Sequence, residues 1–205
     1  MSDLWRRVAR AESGDDYAEA YEQRFRRAAA EGADVHGEAA FVSALAPPPA
    51  RVLDAGCGTG RVARRLAALG HPVVGVDDDA AMVEVARRES PGLTWHVADV
   101  ATLDLDGPAF DVVVLAGNVV PFLAPGSLPT TLGRLATYLV DGGLLVAGFG
   151  TDAAHVPDGC PPGSDEDYAA AARAVGLVER ARHGTWDGGA HDPASGYVVR
   201  VHARG

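Results

Sequence analysis

Apolar runs and helical periodicities alternate along most of this 205-residue chain, and the alternation has a clear order. Short runs at Arg51–Asp54, Pro72–Val76, Leu93–Val97, Phe110–Leu115 and Gly143–Gly148 predict strands. Helical patterns lie between the first and second strands, the second and third, and the fourth and fifth. The run Val112-Val113-Val114-Leu115 is apolar at every position, so its strand is buried on both faces. That is the mark of a parallel sheet covered by helices on two sides.

Before the sheet, a helix from Asp15 to Ala30 follows the turn-forming cluster Ser13-Gly14-Asp15-Asp16 and carries Tyr17, Tyr21 and Phe25 on one face. A second helix from about Val35 to Leu45 ends at Pro47-Pro48-Pro49, which forces an extended approach to the first strand. After the sheet's fifth strand, a helix from Asp165 to Val175 leads to Leu177–Thr185, a turn-rich loop Trp186–Ser195, and Gly196–Ala203. Two extended runs joined by a short non-helical loop pair antiparallel, because a parallel crossover needs a dozen or more residues. The expected organisation is one domain over 1–205, with a helical pre-sheet segment at 1–48 and an α/β core at 49–205.

The chemistry concentrates at Asp54-Ala55-Gly56-Cys57-Gly58-Thr59-Gly60-Arg61, between the first strand and its helix. Gly56 and Gly58 allow turn conformations closed to other residues and let a ligand come close to the backbone. Gly60 permits tight packing where the helix begins, and the first free N–H groups of that helix point into the turn. A dinucleotide fingerprint would place glycine where this chain has Arg61. Asp54 adds a carboxylate that suits a cationic amine better than a pyrophosphate. A ligand with an amino-acid end and an adenosine end, S-adenosylmethionine, matches this chemistry.

The run from Val52 to Leu66 closely resembles the first motif of the class I, seven-strand S-adenosylmethionine-dependent methyltransferases. The resemblance implies a doubly wound, Rossmann-like, mostly parallel seven-stranded sheet in the order 3-2-1-4-5-7-6, with the last strand antiparallel. It implies S-adenosyl-L-methionine as donor and S-adenosyl-L-homocysteine as product, bound through Asp54, Gly56, Cys57, Gly58, Thr59 and Gly60. Asp77, ending the second strand, is then placed for the ribose hydroxyls; the alternative is a helix cap, a role open equally to Asp78 or Asp79. Family members usually carry an apolar residue where Asp78 stands, and Met82 is expected to supply the adenine wall instead. Ala98-Asp99-Val100 corresponds to the adenine-recognition segment, and Ala116-Gly117-Asn118 to the backbone passing the methionine part. Tyr17 and Tyr21 are either plain core or an aromatic lid over the cofactor.

Charge narrows the acceptor. The net charge of −10 argues against duplex nucleic acid and anionic membranes, both of which need a basic face. All 18 basic residues are arginine, which excludes Schiff-base chemistry and a P-loop lysine. Two cysteines make neither a disulfide framework nor a metal cluster, and the histidines are not spaced as a metal site. No apolar run reaches the ~18 residues of a membrane span, and the first residues lack the apolar core of a signal peptide, so a cytoplasmic location is expected. The absence of an Asn/Asp-Pro-Pro-Tyr/Phe motif points, within the family, to a small-molecule acceptor; methylation on nitrogen or oxygen and a monomer or homodimer are expected. His36 and His191 are the candidate catalytic residues; Glu38, His155, Trp186 and Asp192 stand on the same expected edge. The rival readings are a non-catalytic cofactor-binding module and a nicotinamide-dependent oxidoreductase.

Overall fold

A computed structural model describes residues 3–107 and 109–205. Two positions of the N-terminal stretch read for a signal peptide, Met1 and Ser2, lie outside the described residues. Seven strands form one sheet: β1 (Val52–Ala55), β2 (Val73–Asp77), β3 (Thr94–Val97), β4 (Phe110–Leu115), β5 (Leu139–Gly150), β6 (Leu177–His183) and β7 (Tyr197–Arg204). Their spatial order is β3-β2-β1-β4-β5-β7-β6, and β7 runs antiparallel to both of its neighbours. This is the expected methyltransferase topology. The strand bounds differ from the sequence reading by a residue or two, except that β5 begins at Leu139, upstream of a register shift between Phe110 and Val112 of β4.

Alternation along the strands sends side chains to two apolar layers. Leu53, Val113, Leu115, Leu145 and Phe149 face one layer with Leu132, Leu135 and Tyr168, from helices α7 (Leu128–Ala136) and α8 (Asp165–Ala174). Val52, Val112, Val114 and Val146 face the other. There they meet Val42 of α3 (Gly37–Leu45), Val62 and Leu66 of α4 (Arg61–Ala68), and Val83 of α5 (Ala80–Glu89). A single turn, α6 (Val119–Phe122), follows β4.

The N-terminal segment departs from the sequence reading. A helix not anticipated there, α1 (Leu4–Ser13), precedes α2 (Tyr17–Ala30), and a 3-10 turn at Gly14–Asp16 joins them. Its apolar stripe is Leu4, Trp5, Val8 and Ala9 among arginines, too short to stand out, and it folds because those residues find partners in the rest of the chain. The α3 helix starts at Gly37 rather than Val35, since Asp34 Oδ1 accepts the backbone N–H of His36 at 2.8 Å and holds a turn there. Ion pairs fix α2 on the sheet's helices. Buried Glu22 accepts from Arg64 at 2.9 Å and from Arg26 at 3.1 Å, and Arg26 also reaches Glu89.

Trp95 on β3 explains two glycines. A Cβ on Gly75 would lie 2.3 Å from the indole ring, and one on Gly60 would lie 2.4 Å from it. The ring therefore occupies the space that joins β2 to the start of α4. Gly75→Ala should destabilise the fold by about 1–3 kcal/mol, the usual cost of overpacking. Urea denaturation of the variant against the parent measures this, and Trp95→Leu in the same background should recover part of the loss. An unchanged midpoint for Gly75→Ala would mean that the ring is elsewhere.

Candidate cofactor and acceptor site

The turn after β1 is built from three glycines with positive φ: 83° at Gly56, 53° at Gly58 and 82° at Gly60. The N–H groups of Gly56 and Cys57 both donate to the Val76 carbonyl, at 2.7 and 3.0 Å, which ties the turn to β2. A Cβ on Gly56 would sit 2.4 Å from Val119 Cγ2, so the turn also packs directly against α6. Cys57 is buried, with its sulfur 3.1 Å from where a Gly75 Cβ would stand, and burial pushes its thiol well above the ordinary value. Thr59 is buried too.

Three consecutive aspartates divide the work beside this turn. Asp77 Oδ2 accepts the Gly58 N–H and its Oδ1 accepts the Asp79 N–H, both at 2.9 Å. Burial pushes the Asp77 carboxyl up to about 6, against the opposing pull of those two N–H groups. Asp79 is the cap of α5, accepting from Ala81 N at 3.0 Å. Asp79 also takes the Tyr17 hydroxyl at 2.7 Å and the Trp5 indole N–H at 3.1 Å, so it anchors both N-terminal helices. Asp78 faces Arg6 at 3.7 Å, and burial raises its carboxyl.

The turn floors a cleft with two adjoining lobes. One is walled by Trp5, Tyr21, Asp77, Met82, Val119 and Phe122, the other by Tyr21, Asp54, Arg61, Val62 and Ala116; Gly56, Gly58 and Gly117 line both. With their open mouths the lobes hold about 390 and 360 Å³. In the second lobe Asp54 is buried, accepts the Ala63 N–H at 3.0 Å and is pushed by burial up to about 7. Arg61 stands beside it, bound to Glu38 at 2.8 Å with its guanidinium 4.5 Å from the centre of the Phe25 ring. A carboxyl next to a guanidinium at the end of a glycine cradle is complementary to the ammonium and carboxylate of an amino acid.

The remaining sequence candidates are spread along the same edge. Tyr21 lines both lobes, whereas the buried Tyr17 spends its hydroxyl on Asp79 and lines neither. Asp99 binds the Ala101 N–H at 2.8 Å, the Ala98 N–H donates to the Asp77 carbonyl at 2.9 Å, and the Val100 side chain belongs to the core. Asn118 takes a left-handed conformation, φ 67°, donates to the His155 carbonyl at 2.8 Å and accepts from Gly150 N at 2.7 Å. His36 is exposed at the head of α3. His191 faces a separate cavity against α8 with Thr151, Asp165 and Arg200. His36 is not among the residues that line the His191 cavity. Trp5, the double anchoring role of Asp79, and Asp152 as the partner of the candidate His155 do not follow from the sequence reading. The indole of Trp5 in an otherwise charged N-terminal stretch was the only local hint of its role.

A family model described as "Methyltransferase domain" matches residues 52–143. The fold superposes on a TehB-like SAM-dependent methyltransferase from Corynebacterium glutamicum with a TM-score of 0.82 and 34% identity, over 92% of this chain and 98% of that one. A SAM-bound amino pentose methyltransferase from Micromonospora echinaspora is 25% identical with a TM-score of 0.70, over 91% of this chain and 97% of that one. Among curated relatives, a dTDP-3-amino-3,6-dideoxy-alpha-D-glucopyranose N,N-dimethyltransferase of Streptomyces fradiae is 34% identical across 56% of this chain and 47% of its own length. A trans-aconitate 2-methyltransferase of Methylobacterium nodulans is 37% identical across 47% of this chain and 37% of its own. The match thus spans about half the length of these curated relatives, or less. Cradle, topology and similarity agree, and the chain belongs to the S-adenosylmethionine-dependent methyltransferases.

Proposed function

We propose that this protein methylates a nitrogen or oxygen of a small molecule, with S-adenosylmethionine as donor. The observation that carries the reading is the cleft floored by Gly56, Gly58 and Gly117 and flanked by two buried carboxylates, Asp77 in one lobe and Asp54 in the other. In this reading Asp77 takes the ribose hydroxyls with lone pairs that the Gly58 and Asp79 N–H groups leave free, and Met82 walls the adenine, with Asp78 and the Ala98–Val100 segment at its edge. Asp54 receives the amine, Arg61 the carboxylate, and Gly117–Asn118 the thioether chain. The bound cofactor supplies an electrophilic methyl carbon. The chain supplies alignment and exclusion of water: Tyr21, Trp5 and Phe122 close the cleft from above.

A small acceptor is supported by the charge of −10 and by relatives whose names specify amino sugars, trans-aconitate and magnesium-protoporphyrin. Among the described residues no helix is long and apolar enough to cross a membrane. Calorimetry should show binding of S-adenosylhomocysteine and none of NADH. Asp77→Asn should weaken that binding roughly 30- to 150-fold, the cost of 2–3 kcal/mol in charge-assisted hydrogen bonds. A panel of amino-sugar nucleotides, trans-aconitate and porphyrins, assayed for methylated product, tests turnover. Binding without any product would favour a non-catalytic module, and binding of NADH alone would overturn the reading.

The raised carboxyls add a pH signature. Folding holds Asp54 near 7 and Asp77 near 6, above the unfolded value of about 3.9. Their neutral forms therefore favour the free folded state at acid pH, and this contribution is lost as pH rises from about 4 through about 7. A cationic amine against Asp54 favours the ionised form, so binding of S-adenosylhomocysteine should release protons and tighten several-fold between pH 5.5 and 7.5. Titrations in buffers of different ionisation enthalpy measure the release. Affinity and heat that do not depend on pH or buffer would remove Asp54 from the amine site.

A further inference from the structure

The loop between β5 and α8 holds a side-chain pair that the cofactor cleft leaves unused. His155 Nδ1 lies 2.7 Å from Asp152 Oδ1, and the same oxygen accepts the backbone N–H groups of Ala154 at 3.0 Å and His155 at 3.2 Å. The hydrogen bond from His155 is the largest of the effects that hold the Asp152 carboxyl below its ordinary value. With Nδ1–H given to a carboxylate, Nε2 is left as the free base of the ring. The ring is 42% exposed, so a proton taken at Nε2 has a route to solvent.

The surrounding contacts tie the loop that carries this pair to residues that line or adjoin the cleft. Asn118, next to the cleft-lining Gly117, donates to the His155 carbonyl at 2.8 Å. The following residue, Val156, is buried against Phe122, with Trp5 packed beside it, and both aromatics form cleft wall. Two glycines make the room. A Cβ on Gly150 would lie 2.5 Å from the His155 carbonyl oxygen, and one on Gly196 would lie 2.0 Å from Asp152 Oδ2 and 2.6 Å from His155 Nδ1. From β7 the ring meets Tyr197, 6.2 Å between centroids. Burial pushes that phenol up to about 12, so it stays neutral, and its oxygen accepts from Trp186 Nε1 at 3.0 Å. Glu38 and Arg61, which form an ion pair with each other, act on Tyr197 in opposite directions. Asp152 is thus the ionised partner that faces the imidazole.

We propose that His155, oriented by Asp152, is the base that takes the proton from the methyl acceptor. The inference rests on the methyl-transfer reading above and adds the residue that it lacks. His155 Nε2 accepts the proton of the acceptor O–H or N–H while the acceptor's freed electron pair bonds to the methyl carbon. The carbon–sulfur bond breaks with its electrons going to sulfur. The resulting imidazolium, balanced by Asp152, then releases its proton to water. His155 is the catalytic residue; Asp152 and Asn118 are positioning residues.

Two measurements on the full chain test it. Nitrogen-15 NMR of histidine-labelled protein should show His155 protonated at Nδ1 with Nε2 free, and Asp152→Ala should abolish that preference. A ring protonated at Nε2 overturns the proposal whatever the acceptor. With the acceptor that the panel identifies, His155→Gln should lower kcat roughly 100- to 10,000-fold and erase an ionisation from the pH profile of kcat/KM. Its affinity for S-adenosylhomocysteine should stay within about twofold of the parent, and Asp152→Asn should fall between the two. Unchanged kcat and pH profile in His155→Gln sinks this proposal while leaving methyl transfer intact. A parent that methylates nothing on the panel sinks the methyl-transfer reading and this one with it, whatever the NMR result.

Discussion

One buried carboxylate organises the ligand edge of this sheet. Asp77 ends β2 and binds two backbone N–H groups, one from the glycine turn after β1 and one from the head of α5. The Gly56 and Cys57 N–H groups tie the start of the turn to β2, and Asp77 fixes its middle at Gly58, where glycine offers conformational freedom and no side chain. The two N–H groups do not fully compensate the burial, as the raised Asp77 carboxyl records. That imbalance is what a ligand with further hydrogen-bond donors can correct, and it is why a cofactor ribose is a natural occupant.

From this point the order of the aspartates propagates outward. Asp79 caps α5 and at the same time receives Tyr17 and Trp5, so the helices that roof the cleft hang from the residue two positions beyond its floor. The Glu22–Arg64–Arg26–Glu89 network secures α2 to α4 and α5, and the buried position of Glu22 makes that network sensitive to loss of either partner. On the opposite side Asn118, in a left-handed turn, joins β4 to β5 and to the His155 loop. Floor, roof and the His155 loop are therefore linked through side chains that end strands or start helices.

The sheet was legible in the sequence because its central strands are buried on both faces and its helices amphipathic, and because β7 could pair only antiparallel after a short loop. The glycine turn was legible because three closely spaced positive-φ positions leave few other residues available. The parts that escaped depend on contacts far apart in the chain. Spacing could not separate the roles of Asp77, Asp78 and Asp79, since each stands within reach of the helix start. The α1 helix escaped because its short stripe of apolar residues, Leu4, Trp5, Val8 and Ala9, gains its meaning only against Phe122, Tyr21 and Val156. Histidines could be placed on one edge of the sheet, and the sequence puts His36 and His191 first without sight of the contacts each one makes. His36 and His191 project to different places, while the pairing of His155 with Asp152 is set by Gly150 and Gly196.

The central claim is that the cleft between Asp77 and Asp54 holds S-adenosylmethionine with its sulfur toward Asn118 and the His155 rim. A crystal structure with S-adenosylhomocysteine tests it most directly. The account predicts ribose hydroxyls on the Asp77 carboxylate, the amine within hydrogen-bond distance of Asp54, and the thioether sulfur opening toward Asn118. A ligand bound outside this cleft, or lying in it with the adenine at Asp54 and the amino-acid end at Asp77, would contradict it.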